Sequence, residues 1–299
     1  MRLALLDELS QSQRILLVGA GGGYDIFCGL PLYHWLRNRG RTPYLASLSF
    51  RGDRLERVNS VGSQPEECLA GFLRADLGEE VPVYRFGAGG TQQILAHYRQ
   101  LVQDLDLDAM VLVDGGTDSL LRGDEPGLGS PGEDVASLAA AHQLDLPVRL
   151  LASLGFGLDA HHHVCHAYVL EAAADLTASG DFLGAFSLLA GMPELEFLSR
   201  AVEFAARQPG SRPSIIAGSV VAAARGRFGD VHVSSRTSGS SLLLNPLMAM
   251  FWGFRVDGLA RRCLYLDAIK QTRSRGEITQ ALHRFRATIS PRPWIDLPF

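Results

Sequence analysis

The sequence predicts an α/β protein: a mostly parallel sheet in a three-layer Rossmann-like sandwich, with a helical elaboration in its second half. Short apolar runs of strand length alternate with stretches of helical periodicity through the first 155 residues. The links between them are mostly short, which favours parallel strands joined by crossover helices. A content of 46% hydrophobic and 20% charged residues is that of a soluble globular chain rather than a disordered one. The 299 residues read as one domain spanning 1–299, elaborated at about 160–255.

In chain order, residues 15–18 form the first expected strand, 30–38 a helix and 43–48 the second strand. Residues 81–86 are the third strand, followed by a helix over 91–103 that places Ile94, Leu95, Tyr98 and Leu101 on one face. Strands four and five are 109–113 and 148–154. Beyond them, 164–176, 194–207, 213–225 and 242–254 read as helices. The run Arg-Cys-Leu-Tyr-Leu at 262–266 reads as a late strand returning to the sheet, and a helix near 277–289 closes the chain.

Composition excludes several functions. Lys and Arg number 28 against 32 acidic residues, for a net charge of −4, and no concentrated basic face suits nucleic acid. Cys28, Cys68, Cys165 and Cys263 make no C-x-x-C pair, which speaks for reduced cytoplasmic thiols and against structural zinc. The first residues carry one Arg and an apolar run of only four, unlike a signal peptide, and no uncharged apolar run of 18 is present, so no membrane partner is expected. The expected partner is a small molecule containing phosphate or ribose, and the chain is compatible with a homo-oligomer.

Candidate chemistry collects where strands end, because open parallel sheets bind ligands beyond the carboxyl ends of their strands. Strand one runs into Gly19-Ala20-Gly21-Gly22-Gly23-Tyr24-Asp25, a turn able to bring backbone N–H groups against a phosphate. Tyr24 stands where a dinucleotide fingerprint needs its third glycine, and the second strand closes on Ser47 and Ser49 instead of a ribose-binding acid, so NAD is not expected. Strand four ends in Asp114-Gly115-Gly116-Thr117-Asp118. Positions 115–134 hold six glycines and five acidic side chains, too polar and flexible to be core. Asp114, Asp118 and Asp124 are turn residues or, if they face one cavity, ligands of Mg²⁺ or Mn²⁺. Arg122 beside Asp124 offers an internal ion pair as a further alternative.

Strand five ends near Asp159, followed by His161, His162, His163 and His166. A helix starting at about Ala160 would place His162 and His166 on one face, as metal ligands or proton carriers, or as nothing more than a polar helix start. Residues 233–241, with five Ser, one Thr and Arg236 ahead of an apolar helix, form either an anion cradle or a flexible capped loop. Asp267 ends the expected late strand, and no G-x-S-x-G elbow supports a serine hydrolase.

GAGGGYD, DGGTDSLLRGDEPGLGSPGED, GFGLDAHHHVCHA and SGSSLLLNPLMAMFWGF together resemble an uncharacterised family of bacterial and archaeal proteins classed as a domain of unknown function. That resemblance spans nearly the whole chain and implies no activity. The Asp-Gly-Gly-Thr-Asp segment is more faintly similar to Asp-rich loops of metal-dependent phosphatases and lyases with Rossmann-like sheets.

These observations lead to an expectation of a metal-assisted hydrolase acting on a small phosphorylated or nucleotide-like metabolite. Asp114 and Asp118 would bind the metal or activate water. Gly21, Gly22 and Gly23 would cradle phosphate beside Asp25, Gly115, Gly116 and Thr117. Asp159 with His161 or His163 would move protons or complete the ligand set. The alternatives are a nucleoside N-glycosidase and a nucleotide-binding protein without catalysis.

Overall fold

The computed structural model describes residues 3–50, 52–159, 163–212, 214–240 and 242–297. Its strands are β1 (Arg14–Gly19), β2 (Thr42–Ser49), β3 (Glu56–Val58), β4 (Val83–Gly87), β5 (Ala109–Asp114), β6 (Val148–Leu154), β7 (Phe182–Ser187), β8 (Gly229–Asp230), β9 (Leu243–Leu244) and β10 (Met250–Arg255). Eight of them form one sheet in the order β3-β4-β2-β1-β5-β6-β10-β7. The central five, β4, β2, β1, β5 and β6, are parallel. The edge strand β3 runs against β4, and β10 runs against both β6 and β7.

The helices are α1 (Ala4–Ser10), α2 (Asp25–Cys28), α3 (Leu30–Arg37), α4 (Pro65–Leu77), α5 (Thr91–Leu105), α6 (Pro131–His142), α7 (His166–Ser179), α8 (Pro193–Arg207), α9 (Ile215–Ala224), α10 (Val256–Arg262), α11 (Leu266–Ile269) and α12 (Arg275–Ala287). Alternation along each central strand feeds two apolar layers. In β1, Leu16 and Val18 pack under α5, α6 and α7, while Ile15 and Leu17 pack under α1, α3 and α8. In β5, Met110 and Leu112 take the first face, and Ala109, Val111 and Val113 the second. This is the three-layer Rossmann-like sandwich. Truncating one such buried leucine to alanine costs about 2–5 kcal/mol. No helix among the described residues is long and apolar enough to cross a membrane.

The second half differs from the sequence reading. Residues 242–254 are not a helix: they give β9, a 3₁₀ turn at Pro246–Ala249 and the sheet strand β10. Pro246 lacks the N–H a helix interior needs, and Asn245 caps the turn by accepting from Leu247 N–H at 3.0 Å. The strand returning to the sheet is therefore β10. The run at 262–266 instead joins the end of α10 to α11, and its apolar residues are explained by packing, with the Tyr265 ring 5.4 Å from that of Phe285 of α12 and tilted against it. The elaboration is also less helical than expected, since β7 adds a second strand to the sheet's far edge.

Two local readings fail as well. Helix α7 starts at His166, not near Ala160: Cys165 is its N-cap and His163 sits in a turn with φ of 61°. Ala160, His161 and His162 lie outside the described residues. The stretch after β5, expected to be too polar and flexible for the core, is in large part buried: Asp118, Ser119, Leu120, Leu121, Glu125 and Asp134 are all inside.

Candidate functional site

Strand order reverses between β1 and β5, and the crevice at their carboxyl ends is where a sheet of this kind binds ligands. The chain beyond β1 stays beside β5 through Ala20 N–H, which donates to the Val113 carbonyl at 2.8 Å. Gly22, at φ of 84°, then turns it sharply into α2. That helix has four residues, and its first is Asp25, whose Oδ2 accepts from Gly21 N–H at 2.8 Å. The protein's own carboxylate thus takes a backbone donor that the sequence reading gave to a phosphate.

Asp114 closes β5 and accepts a hydrogen bond from the Ser119 hydroxyl. Asp134 comes from the first turn of α6, a helix started by Pro131. One oxygen each from Asp25, Asp114 and Asp134 can be chosen so that all three lie within 4.8 Å of one another. Gly21 makes this convergence possible. A Cβ there would lie 2.6 Å from Asp134 Oδ1 and 2.8 Å from Asp25 Oδ2.

Two more carboxylates border the same space. Asp118 Oδ2 accepts from Ser130 N–H at 2.7 Å and from its hydroxyl at 3.0 Å, closing the loop before α6. Asp159, beyond β6, accepts from Thr117 N–H at 2.6 Å and from its hydroxyl at 3.2 Å. Together the five aspartates line a cavity of about 300 Å³, with Tyr24, Ser130, Ser214 and Arg236 also on its wall. Among the described residues none of the five is in an ion pair. Burial pushes Asp25, Asp114, Asp134 and Asp159 well above the ordinary carboxylate range, and the charges of the neighbouring aspartates push them further.

The candidate residues from sequence divide as follows. Asp25, Asp114, Asp118, Asp159, Gly21, Gly23 and Gly115 line the cavity. Gly22 packs against the Leu48 carbonyl instead. Gly116 and Thr117 stand behind Asp159: a Cβ on Gly116 would meet its Oδ2 at 2.6 Å, and Thr117 holds it by the bonds just described. His163 is exposed and not on the cavity wall, and His161 lies outside the described residues. His166 is half-buried against Phe156, and burial lowers its pKa. Asp124 turns away to pair with Arg122 at 2.7 Å, and Asp267 is an exposed residue paired with Lys270 at 2.6 Å.

Asp134 and Ser130 were not picked from sequence as site residues. Pro131 followed by Glu133 and Asp134 is a helix-start signal that could have placed them. Arg236 does reach the cavity, but from a 3₁₀ turn at Ser235–Thr237 and not from the cap of an apolar helix.

Fold and site together define an α/β Rossmann-like protein with an acidic pocket at the switch point of its sheet. Residues 74–289 match the sequence profile of the family described as a protein of unknown function, DUF1152, and the chain belongs to that family. The match takes in Asp114, Asp118, Asp134 and Asp159, while Asp25 precedes it. A comparison with curated proteins finds no match.

Proposed function

We propose that the protein is a divalent-cation-dependent hydrolase of a small phosphorylated or nucleotide-like metabolite, with Mg²⁺ or Mn²⁺ held by Asp25, Asp114 and Asp134. The observation that carries this reading is the convergence of three carboxylates within 4.8 Å without an ion-pair partner among the described residues. Two like charges about 4 Å apart repel by roughly 4 kcal/mol at the effective dielectric of a protein surface. Such a trio must therefore hold protons or a cation. All-oxygen donors in a compact group suit a hard divalent ion.

When bound, the cation supplies a Lewis acid for a phosphoryl oxygen and lowers the pKa of a coordinated water. The protein's residues do the rest. Arg236 at the cavity wall receives phosphate oxygens. Asp159, made more basic by burial, accepts in its ionised form a proton from the attacking water as the bond to phosphorus forms. The ester P–O bond breaks, and the proton passes to the leaving oxygen. Asp118 keeps the loop before α6 closed over the cavity through Ser130. His163 has no part in this mechanism.

The test is release of inorganic phosphate from a panel of nucleotides and sugar phosphates, with Mn²⁺ and with a chelator. Release that needs Mn²⁺ and disappears in Asp114→Asn is the expected result. Release unaffected by chelator, or none from any member, contradicts it. Free base in place of phosphate would move the reading to N-glycosidic cleavage.

A further inference from the structure

The carboxylate cavity shares Gly23, Tyr24 and Arg236 with a second cavity of about 600 Å³. This larger space lies beyond the carboxyl end of β2, where dinucleotide-binding sheets place an acid that takes the two ribose hydroxyls. Strand β2 ends in Ser49 and has no acid of its own. The fold brings one from elsewhere. Glu66, in the first turn of α4, lines this cavity with only 2% of its surface exposed, and Ser49 at the end of β2 lines it too. Burial raises its pKa.

Glu66 is not needed to close the helix it sits on. Glu67 does that, its carboxylate accepting from Gln64 N–H at 3.3 Å. A carboxylate offers about four acceptor positions. The neighbouring Arg85 pairs with Glu56 and Glu67, and among the described residues Glu66 is in no ion pair, which leaves capacity for a pair of hydroxyl donors. Arg212 and Arg236 add positive charge to the same wall.

We infer, building on the hydrolase reading, that the second cavity is a ribose subsite and that the substrate is a ribonucleotide. Its vicinal hydroxyls rest on Glu66 and its phosphates run past Arg236 into the carboxylate cavity. Selection for the sugar thus comes from a different strand-helix unit than the one that binds the cation.

Calorimetric titration of the full chain in Mn²⁺ tests this, with ADP, GDP, CDP and UDP each compared with its 2′-deoxy analogue. At least one ribonucleotide is expected to bind about 10- to 100-fold more tightly than its deoxy form, the range for losing one charge-assisted hydrogen bond. Glu66→Gln and Ser49→Ala should narrow that gap. Equal binding of ribo and deoxy forms by the wild-type protein overturns the inference without relying on any variant, as does failure of all four ribonucleotides to bind. Mn²⁺ binding measured alone by EPR separates the two claims. Discrimination by sugar without Mn²⁺ binding removes the cation reading and keeps the subsite, and Mn²⁺ binding without discrimination does the reverse.

Discussion

Between β5 and α6 the chain carries Asp118, Asp124, Glu125, Glu133 and Asp134, and these acids meet two opposite environments. Asp124 is gripped by Arg122 at 2.9 and 2.7 Å and paired with Arg292 at 2.9 Å, and the Arg122 guanidinium holds its carboxyl below the usual range. Glu125, 0% exposed, accepts from the N–H groups of Arg122 at 2.9 Å and Gly123 at 2.8 Å, with Arg292 at 3.4 Å. Arg292 also pairs with Glu171 at 2.7 Å, and Tyr168 donates to the Pro293 carbonyl at 2.6 Å, so the C-terminal segment is fastened to this half of the loop. Asp118 and Asp134, a few residues away, are also buried and share a cavity with Asp25, Asp114 and Asp159, and among the described residues none of the five is in an ion pair.

A buried carboxylate needs a partner. Where the fold provides guanidinium groups, the acids hold the scaffold together. Where it gathers five acids around one cavity with a single arginine on the wall, protons or a bound cation have to offset the remaining charge. The same twenty-residue stretch therefore builds both the frame and the pocket.

The largest expected effect falls on the pocket. Asp114→Asn should weaken Mn²⁺ binding by about 100-fold or more, since changing only an outer partner of a metal ligand already costs 10- to 100-fold. In chelator the same variant should melt higher than wild type, because it removes one of the mutually repelling charges. Calorimetric titration and a thermal melt read the two changes, and a lower melting temperature in chelator would break the contrast. On the paired side, Arg292→Ala should destabilise the fold by about 1–3 kcal/mol by stripping Asp124 and Glu125 of a partner. Its Mn²⁺ affinity should stay within about twofold of wild type, near the measurement's scatter.

The pH dependence sharpens the comparison. The pocket aspartates have raised pKa values in the folded state, so their contribution is present at low pH and lost as pH rises through those values. Asp124 is lowered, so its contribution is present above the ordinary carboxylate pKa and lost only as pH falls through the depressed value. In chelator, Tm should fall by a few degrees between about pH 5 and pH 8, and saturating Mn²⁺ should remove that fall. A Tm that is flat with and without metal would contradict the assignment. Least of all should change in Asp267→Asn, whose exposed partner is Lys270, and both Tm and Mn²⁺ affinity should be unaltered.

The central sheet was legible because β1 and β5 hold unbroken apolar runs and β2 and β6 mostly apolar ones, and such runs buried on both faces announce parallel strands directly. Asp25, Asp114, Asp118 and Asp159 were legible for the same reason, as polar residues where those runs stop. Strand β10 was hidden because Leu-Leu-Leu-Asn-Pro-Leu-Met-Ala-Met-Phe-Trp-Gly-Phe is apolar almost throughout, and only the Asn245-Pro246 pair argues against one helix. The fates of Asp124 and Asp134 were hidden because spacing along the chain does not tell which acid meets Arg292, 158 or more positions later. Glu66 was invisible for a similar reason: its place beside Ser49 depends on how α4 returns over the sheet.

The most direct measurement is a crystal structure of the full chain grown with Mn²⁺, with data collected for anomalous scattering. A single strong peak about 2.2 Å from oxygens of Asp25, Asp114 and Asp134, with none at Asp124 or Glu125, is the result the two environments require. A map without a peak between those three aspartates would mean that the trio holds protons instead, and would contradict the cation-dependent reading.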